Sequence, residues 1–347
     1  MTDVYLNHIV TAVPAHDIHD AFTNFAPGLL TSDRERKLFQ RMVERAHIAH
    51  RYSMLTPGRG PDCPDAEGFY RRGAFPSTGQ RMARYTQEAL PLAMKALDRL
   101  NLREQAGRVT HLILTSCTGF YAPGLDLQIL QAYGLRDSTE RTVVGFMGCY
   151  AAMNALKLAR HIVRSEASAC VLVVNLELCT LHFNEVHALE PLLSFLLFGD
   201  GVAAALISAE AEGLALQEFS TAIIPDSAHL ITWDIGDSGF IMHLSGQVPP
   251  LLERALPGMG ISLHDVTHWA VHPGGRTILD AVEHGLALPP QALTDARAVL
   301  HDYGNMSSAT IMFVLQRMLA SAHPGIGFGM AFGPGLTAEM LRFEKIG

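Results

Sequence analysis

The sequence predicts a layered α/β protein built in two parts. Short β-branched apolar runs alternate with stretches of Ala, Leu, Met and Lys at helical spacing, the pattern of strands feeding helices around a sheet. The same rhythm occurs twice along the chain, without an obvious repeat at the residue level. The length of 347 residues also exceeds a single domain of roughly 100–200 residues. The halves are placed at residues 1–213 and 214–347.

Tyr5 to Val10 reads as a first strand. A helix is expected over residues 31–50, opened by a Thr-Ser-Asp cap signal and rich in cations. Residues 55–80, dense in Pro and Gly, read as a long surface loop before a helix over 80–100. His111 to Cys117 is a buried strand running into a turn, and Pro123-Gly124 opens a helix that stops at Gly134. Arg141 to Gly145 reads as a short buried strand, and from Ala151 the pattern is helical. Cys149 therefore falls at a strand-to-helix turn, where unpaired N–H groups and the helix dipole would push a thiol toward thiolate. Cys170 to Cys179 and Val202 to Ser208 are strands around a helix from Leu189 to Phe198. In the second half, Val266 to Val271 alternates like a strand and ends in the turn His272-Pro273-Gly274-Gly275 before a helix from Arg276. The polar turn Tyr303-Gly304-Asn305 precedes a helix from Ala309 to Ala320, and a Gly-rich segment closes at Thr337.

Charged residues make up only 17% of the chain and AVILMFWYC 48%, against about 25% charged in ordinary usage. That balance provides for a large core and an apolar subunit interface. A formal charge of −8 argues against nucleic acid as a partner. There is no apolar run long enough to span a membrane and no signal-peptide pattern at the start, so a cytoplasmic setting is expected. The five cysteines, Cys63, Cys117, Cys149, Cys170 and Cys179, have no C-x-x-C spacing, which favours free thiols over a disulfide framework or zinc cluster. His268 and His272 stand four apart but on a strand pattern with no neighbouring Glu, so they are not read as metal ligands. Gly236-Asp237-Ser238-Gly239 superficially matches a serine-protease fragment, without the flanking residues of one. No dinucleotide fingerprint, Walker A lysine or G-x-S-x-G elbow is present.

Three polar turns remain at the ends of apolar strands, carrying Cys149, His272 and Asn305. Thioester carbon–carbon chemistry needs such a set: a thiol to accept an acyl group, an imidazole to activate it and donate to an oxyanion, and an amide to complete the hole. Lys37, Arg41 and Arg45 recur at four-residue intervals on the first helix, a ridge suited to a phosphorylated ligand or simply a solvated face.

The flanks of these turns carry a resemblance. Gly148-Cys149, His272-Pro-Gly-Gly-Arg, Tyr303-Gly-Asn-Met-Ser-Ser and Phe332-Gly-Pro-Gly-Leu-Thr strongly resemble the type III polyketide synthases, the chalcone-synthase-like family. Phe39-Gln-Arg-Met, Cys117-Thr-Gly-Phe-Tyr-Ala-Pro-Gly, Glu177 and Leu197-Phe-Gly-Asp-Gly extend it over nearly the whole chain. The resemblance implies a thiolase fold, an αβαβα sandwich of two similar halves acting as a homodimer. It also implies coenzyme A thioesters as substrates, with no metal or redox cofactor. By this likeness Cys149 holds the starter and growing chain. His272 and Asn305 bind the malonyl-CoA thioester carbonyl and stabilise the enolate left by decarboxylation. The product is then cyclised to a pyrone, resorcinol or related phenolic.

Phe198 matches one gatekeeper phenylalanine, while the second position falls on Met242. Arg41 and Arg45 match residues that hold the coenzyme A phosphates; the first basic position falls on Leu38, with Lys37 a substitute. Cys117, Cys179, His182 and Trp233 stand where plant members have Thr, Thr, Thr and Gly. Cys117 resembles the bacterial type, which argues against a chalcone product and for an aliphatic starter. Two alternatives stay open at this point: a single-condensation ketoacyl synthase, and a silent family member that only binds acyl-CoA.

Overall fold

The computed structural model describes residues 2–347. Its frame is a nine-stranded sheet. The strands of the first half are β1 (Tyr5–Ala12), β2 (His111–Ser116), β3 (Glu140–Gly145), β4 (Val171–Leu178) and β5 (Asp200–Ser208). In the second half, β6 (Leu214–Ile223) is followed by a separate hairpin, β7 (Ile231–Gly236) and β8 (Gly239–Leu244). The sheet then resumes with β9 (Val266–Val271), β10 (Gly325–Gly333) and β11 (Thr337–Lys345). The spatial order is β9-β10-β11-β6-β1-β5-β4-β2-β3.

The order reads the same outward from its middle. From β1, two antiparallel neighbours (β5, β4) lead to a parallel one (β2); from β6, two antiparallel neighbours (β11, β10) lead to parallel β9. The two runs join only where Tyr5 and Leu6 of β1 pair with Ala215 and Leu214 of β6. Gly213 makes that junction: its φ is +97°, and a Cβ there would sit 2.2 Å from the Leu6 carbonyl oxygen.

Helices cover both faces. Two of them, Ala151–Ser165 and Thr310–Ala320, lie in a central layer and pack against strands of both halves. Thr78–Arg99 covers the outside of the first half, and Val248–Ala255 with Arg276–Gly285 the outside of the second. The result is the five-layer αβαβα arrangement of the thiolase fold. Being covered on both faces explains why β2 and β4 are apolar over most of their length and why every residue of each is buried, Asn175 and Glu177 included. Each Leu or Val buried there is worth about 1.5–3 kcal/mol. β3 departs from the expectation of a buried strand. It is the sheet's edge, with Val143 48% exposed.

Candidate active site

The first half places Cys149 in a 3-10 turn, Gly148–Tyr150, ahead of the helix starting at Ala151. Gly148 is required there. Its φ is +78°, and a Cβ would meet the Pro334 ring at 2.2 Å. The segment Gly333–Leu336 thus packs directly on the Cys149 turn, and a Cβ on Gly333 would lie 3.3 Å from the Cys149 nitrogen. Cys149 is half-buried. Burial pushes its thiol up to about 11; the Ser307 side chain pulls it down, Glu177 pushes it up, and Asn305 pulls it down. Burial thus works against the sequence expectation of a thiol below the ordinary value of about 8.5 in the resting site. The turn is 3-10 rather than α, and the imidazole that could stabilise a thiolate is itself uncharged.

That imidazole, His272, follows β9 and is 1% exposed. Its backbone N–H donates to the Met330 carbonyl at 2.8 Å, which fixes the turn to β10. Neither ring nitrogen has a partner among the described residues, and burial holds the ring's pKa down to about 3. A buried imidazole with both nitrogens free is costly unless a ligand uses them. Asn305 is 3% exposed and tied at both ends. Its Nδ2 donates to the Gly274 carbonyl at 3.2 Å, and its Oδ1 accepts from the Ser307 N–H at 2.8 Å. Its backbone N–H donates to Leu197 O at 2.8 Å and its carbonyl accepts from Gly199 N–H at 3.0 Å, so Phe198 is held against it. Ser307 has a φ of +47°, a strained conformation of the kind that clusters at functional sites.

A small cavity adjoins the Asn305 turn, with Thr118, Cys179, Phe198, Trp233, Met242 and Ser307 in its walls. One wall is an aromatic block from the hairpin. His182 stacks on Phe240 at 4.1 Å, and the Trp233 ring stands edge-on to His182 at 5.5 Å. Trp233 Nε1 donates to the Cys117 carbonyl at 2.8 Å, and His182 Nε2 donates to the Thr118 carbonyl at 2.6 Å. His182 Nδ1 accepts from the Phe240 N–H at 3.1 Å, which fixes the tautomer. Burial pushes this ring down to about 3, so it is neutral. The other wall is held by Glu177, whose carboxyl accepts from the Cys117 N–H, the Thr118 hydroxyl and the Ser308 hydroxyl at 2.9, 2.8 and 2.6 Å. Cys117 Sγ accepts from the Gly148 N–H at 3.0 Å.

Outside these turns lies a cleft of about 640 Å³ open to solvent. Its lining includes Arg45, Leu197, Gly274, Gly275 and Arg276. Arg45 comes from the helix Asp33–Ala46, capped by Ser32, whose hydroxyl accepts from the Glu35 N–H at 3.2 Å. Arg276 Nη1 donates to the Arg45 carbonyl at 3.2 Å. A mainly apolar cleft with two guanidinium groups thus lies on one side of the His272 turn, and a small apolar cavity lined by Ser307 and Phe198 lies beside Asn305.

Family models match both halves of the chain. The model for the N-terminal domain of chalcone and stilbene synthases matches residues 9–211, and that for their C-terminal domain matches residues 215–346. The chain belongs to the chalcone and stilbene synthase family. Bisdemethoxycurcumin synthase of Oryza sativa subsp. japonica is 33% identical to it, over 96% of this chain and 88% of that protein. Two solved structures share the fold. One is PKS-I from the brown alga Ectocarpus siliculosus (TM-score 0.87, 27% identity, 100% and 99% coverage). The other is the C-terminal type III polyketide synthase domain of Steely1, from a type I/III hybrid of Dictyostelium (TM-score 0.89, 21% identity, 99% and 100% coverage). The protein is a type III polyketide synthase, an acyltransferase.

For this synthase the residues singled out in the sequence are distributed unevenly. Cys149 and Asn305 meet, and Asn305 is tied to the His272 turn through Gly274. Phe198, Met242, Cys179 and Trp233 line the cavity, while Cys117 and His182 stand behind it and orient its wall. Of the cationic ridge only Arg45 lines the cleft; Lys37 and Arg41 continue along the same exposed helix face away from it. His268 bonds the His323 carbonyl at 3.0 Å, and no cluster of metal-ligating residues exists among those described. Gly236–Gly239 is the tight turn of the β7–β8 hairpin, with Thr78 bonded to both glycines. No helix among the described residues is long and apolar enough to cross a membrane. Sequence reasoning missed Arg276 and Ser307 as site residues, although both lie inside quoted motifs. Position beside His272 and Asn305 was the available signal.

Proposed function

We propose that the synthase extends an acyl starter held on Cys149 by decarboxylative Claisen condensation with malonyl-CoA, then releases a small cyclised product such as a pyrone, resorcinol or related phenolic. The observation that carries this reading is the unpartnered His272 imidazole beside Asn305, whose amide is oriented by Gly274 and Ser307 and keeps a second N–H free to donate. In loading, the Cys149 S–H proton passes to His272 as sulfur attacks the starter carbonyl, and the coenzyme A thiolate leaves with that proton. In extension, malonyl-CoA loses CO₂ and its electron pair becomes an enolate, whose oxygen takes hydrogen bonds from His272 and the Asn305 amide. The enolate carbon then attacks the Cys149 thioester, a C–C bond forms and the Cys149 thiolate leaves. The thioesters supply the activation, so no cofactor enters either step.

Coenzyme A is assigned to the cleft of Arg45 and Arg276, with Arg41 and Lys37 beyond it. The small size of the cavity, crowded by Trp233, supports a product of few condensations. A homodimer is supported by the open edge of β3 and the exposed apolar side chains around it: Val143 (48%), Phe120 (39%) and Met147 (37%). Five unpaired thiols support a cytoplasmic setting.

The test is a panel of acyl-CoAs incubated with malonyl-CoA, with products and intact protein read by mass spectrometry. Acyl adducts on Cys149 and polyketide products are expected together. Adducts without any extension product would overturn the condensation step.

A further inference from the structure

We propose that Thr78 and Arg81, at the start of the helix Thr78–Arg99, are positioning residues for product specificity: they clamp the β7–β8 hairpin against the Cys179–His182 turn and so hold Trp233 in the cavity wall. The proposal rests on the reading of Trp233 as the residue that limits the cavity. The hairpin shares no ladder with the nine-stranded sheet, and a two-stranded hairpin by itself is only marginally stable. Its place is therefore set by what grips it from outside.

The grip begins at the tip. The Thr78 N–H, one of the donors that a helix start leaves unpaired, donates to the Asp237 carbonyl at 2.8 Å. The Thr78 hydroxyl donates to the Gly236 carbonyl and accepts from the Gly239 N–H at 2.8 Å. One residue thus closes on the whole turn. Trp233 lies three residues before Gly236 and Met242 three after Gly239, paired with each other across the hairpin and both in the cavity wall.

One helical turn further on, Arg81 is 0% exposed. Its guanidinium packs against the hairpin backbone, where a Cβ on Gly239 would lie 2.7 Å from Nε. Nη1 donates to the Leu181 and Phe183 carbonyls at 2.6 and 2.8 Å, and Nε to the Pro76 carbonyl at 3.0 Å. The Tyr70 hydroxyl takes the Thr180 carbonyl at 2.7 Å, and Asn184 Nδ2 takes the His182 carbonyl at 3.1 Å together with that of Phe240 at 2.9 Å. Every carbonyl from Thr180 to Phe183 is therefore held by a side chain. His182, in the middle of this run, is fixed against Phe240 and, edge-on, against Trp233.

Arg81 bonds to carbonyls and the Tyr70 hydroxyl rather than to a carboxylate. A buried cation held in that way costs more than an apolar side chain of the same volume. What it supplies is direction. Its rigid fork of N–H groups leaves the turn and the hairpin one relative position, where apolar packing would allow several.

The experiment gives one acyl-CoA starter with malonyl-CoA to wild type, Thr78→Val, Trp233→Gly and the double variant. Mass spectrometry reads the ratio of products carrying an added extension to the main product. Thr78→Val keeps the side-chain shape and loses the hydroxyl. It should raise that ratio on the order of tenfold, the worth of about one to two hydrogen bonds, whereas Thr78→Ser should keep the wild-type ratio. Arg81→Lys, which keeps a cation but not the fork, should shift the ratio in the same direction. In the Trp233→Gly background the wall is already gone, so adding Thr78→Val should leave the ratio unchanged while still lowering the melting temperature. A Thr78→Val protein that melts lower but keeps wild-type products would overturn the proposal, the clamp then serving stability alone. An equal shift with and without Trp233 would overturn it too, because the effect would not pass through the wall. If Trp233→Gly itself makes wild-type products, the reading of Trp233 falls and takes the clamp with it.

Discussion

Burial raises the Cys149 thiol to about 11 and lowers the His272 imidazole to about 3, so at neutral pH the resting pair is a thiol and a neutral ring. Proton transfer then belongs to the attack on the starter, where the ring's free nitrogens gain a partner. Iodoacetamide modification of Cys149 should accordingly keep accelerating as pH rises from 7 toward about 11. A plateau below pH 7 would show a standing thiolate–imidazolium pair instead. Among the other thiols only Cys63 is comparably accessible, so peptide mapping should find label on these two and not on Cys117, Cys170 or Cys179. Glu177 gives a second test at this scale. Burial holds it up to about 7, above its ordinary value of about 4.3, so the folded state binds its proton more tightly than the unfolded chain does. The stability this contributes is fully present below the unfolded pKa and is lost as pH rises through about 7. The difference in unfolding free energy between wild type and Glu177→Gln should shift against wild type by roughly 3 kcal/mol across that window. A difference that does not change with pH would contradict it.

Elements set by local chemistry were legible in the sequence, and those set by partners were not. The Ser32 cap, the mainly apolar β2 and β4 and the Gly-rich turn after β9 follow from side-chain type alone. They fall within a few residues of the boundaries expected. β3 was read as buried because Val143 and Val144 are β-branched, yet it is an edge whose cover is not in the chain itself. The β7–β8 hairpin was missed because its residues alternate weakly and Asp237-Ser238 is an undistinguished turn. It nonetheless delivers Trp233, Phe240 and Met242 to the site. Arg81 was passed over because nothing in its neighbours signals burial. At Gly148 the demand is explicit: Gly148→Ala places a Cβ at positive φ and against Pro334. It should cost about 1–3 kcal/mol and displace Cys149, which thermal melts and loading rates would read together. Arg45→Ala should raise the KM for malonyl-CoA several-fold with kcat nearly kept, since a phosphate contact is the same in ground and transition states. A large fall in kcat would place Arg45 nearer the chemistry.

Across the whole molecule, the two-part rhythm of the sequence corresponds to strand orders that mirror each other about β1 and β6, and the family likeness extended over both. What composition and spacing left open was how the halves meet, because that depends on a short ladder at Tyr5–Leu6 and on two central helices shared between them. The site exists only at that meeting. On the proposed reading the nucleophile Cys149 comes from one half and the oxyanion donors His272 and Asn305 from the other, and the closing segment Gly333–Leu336 presses on the Cys149 turn. Cavity size is likewise a property of the assembly of walls. Trp233→Gly removes a ring bonded to the Cys117 carbonyl and should shift products toward more extensions or longer starters, whereas an unchanged profile would detach Trp233 from product control. The division of labour between halves is the central claim, and CO₂ release from radiolabelled malonyl-CoA tests it most directly. Cys149→Ala should lose the acyl-enzyme and all polyketide product yet still release CO₂. Asn305→Ala should lose that release on the order of 10²–10³-fold while still accepting some starter on Cys149. A Cys149→Ala protein dead for decarboxylation beside an Asn305→Ala protein that decarboxylates normally would contradict it.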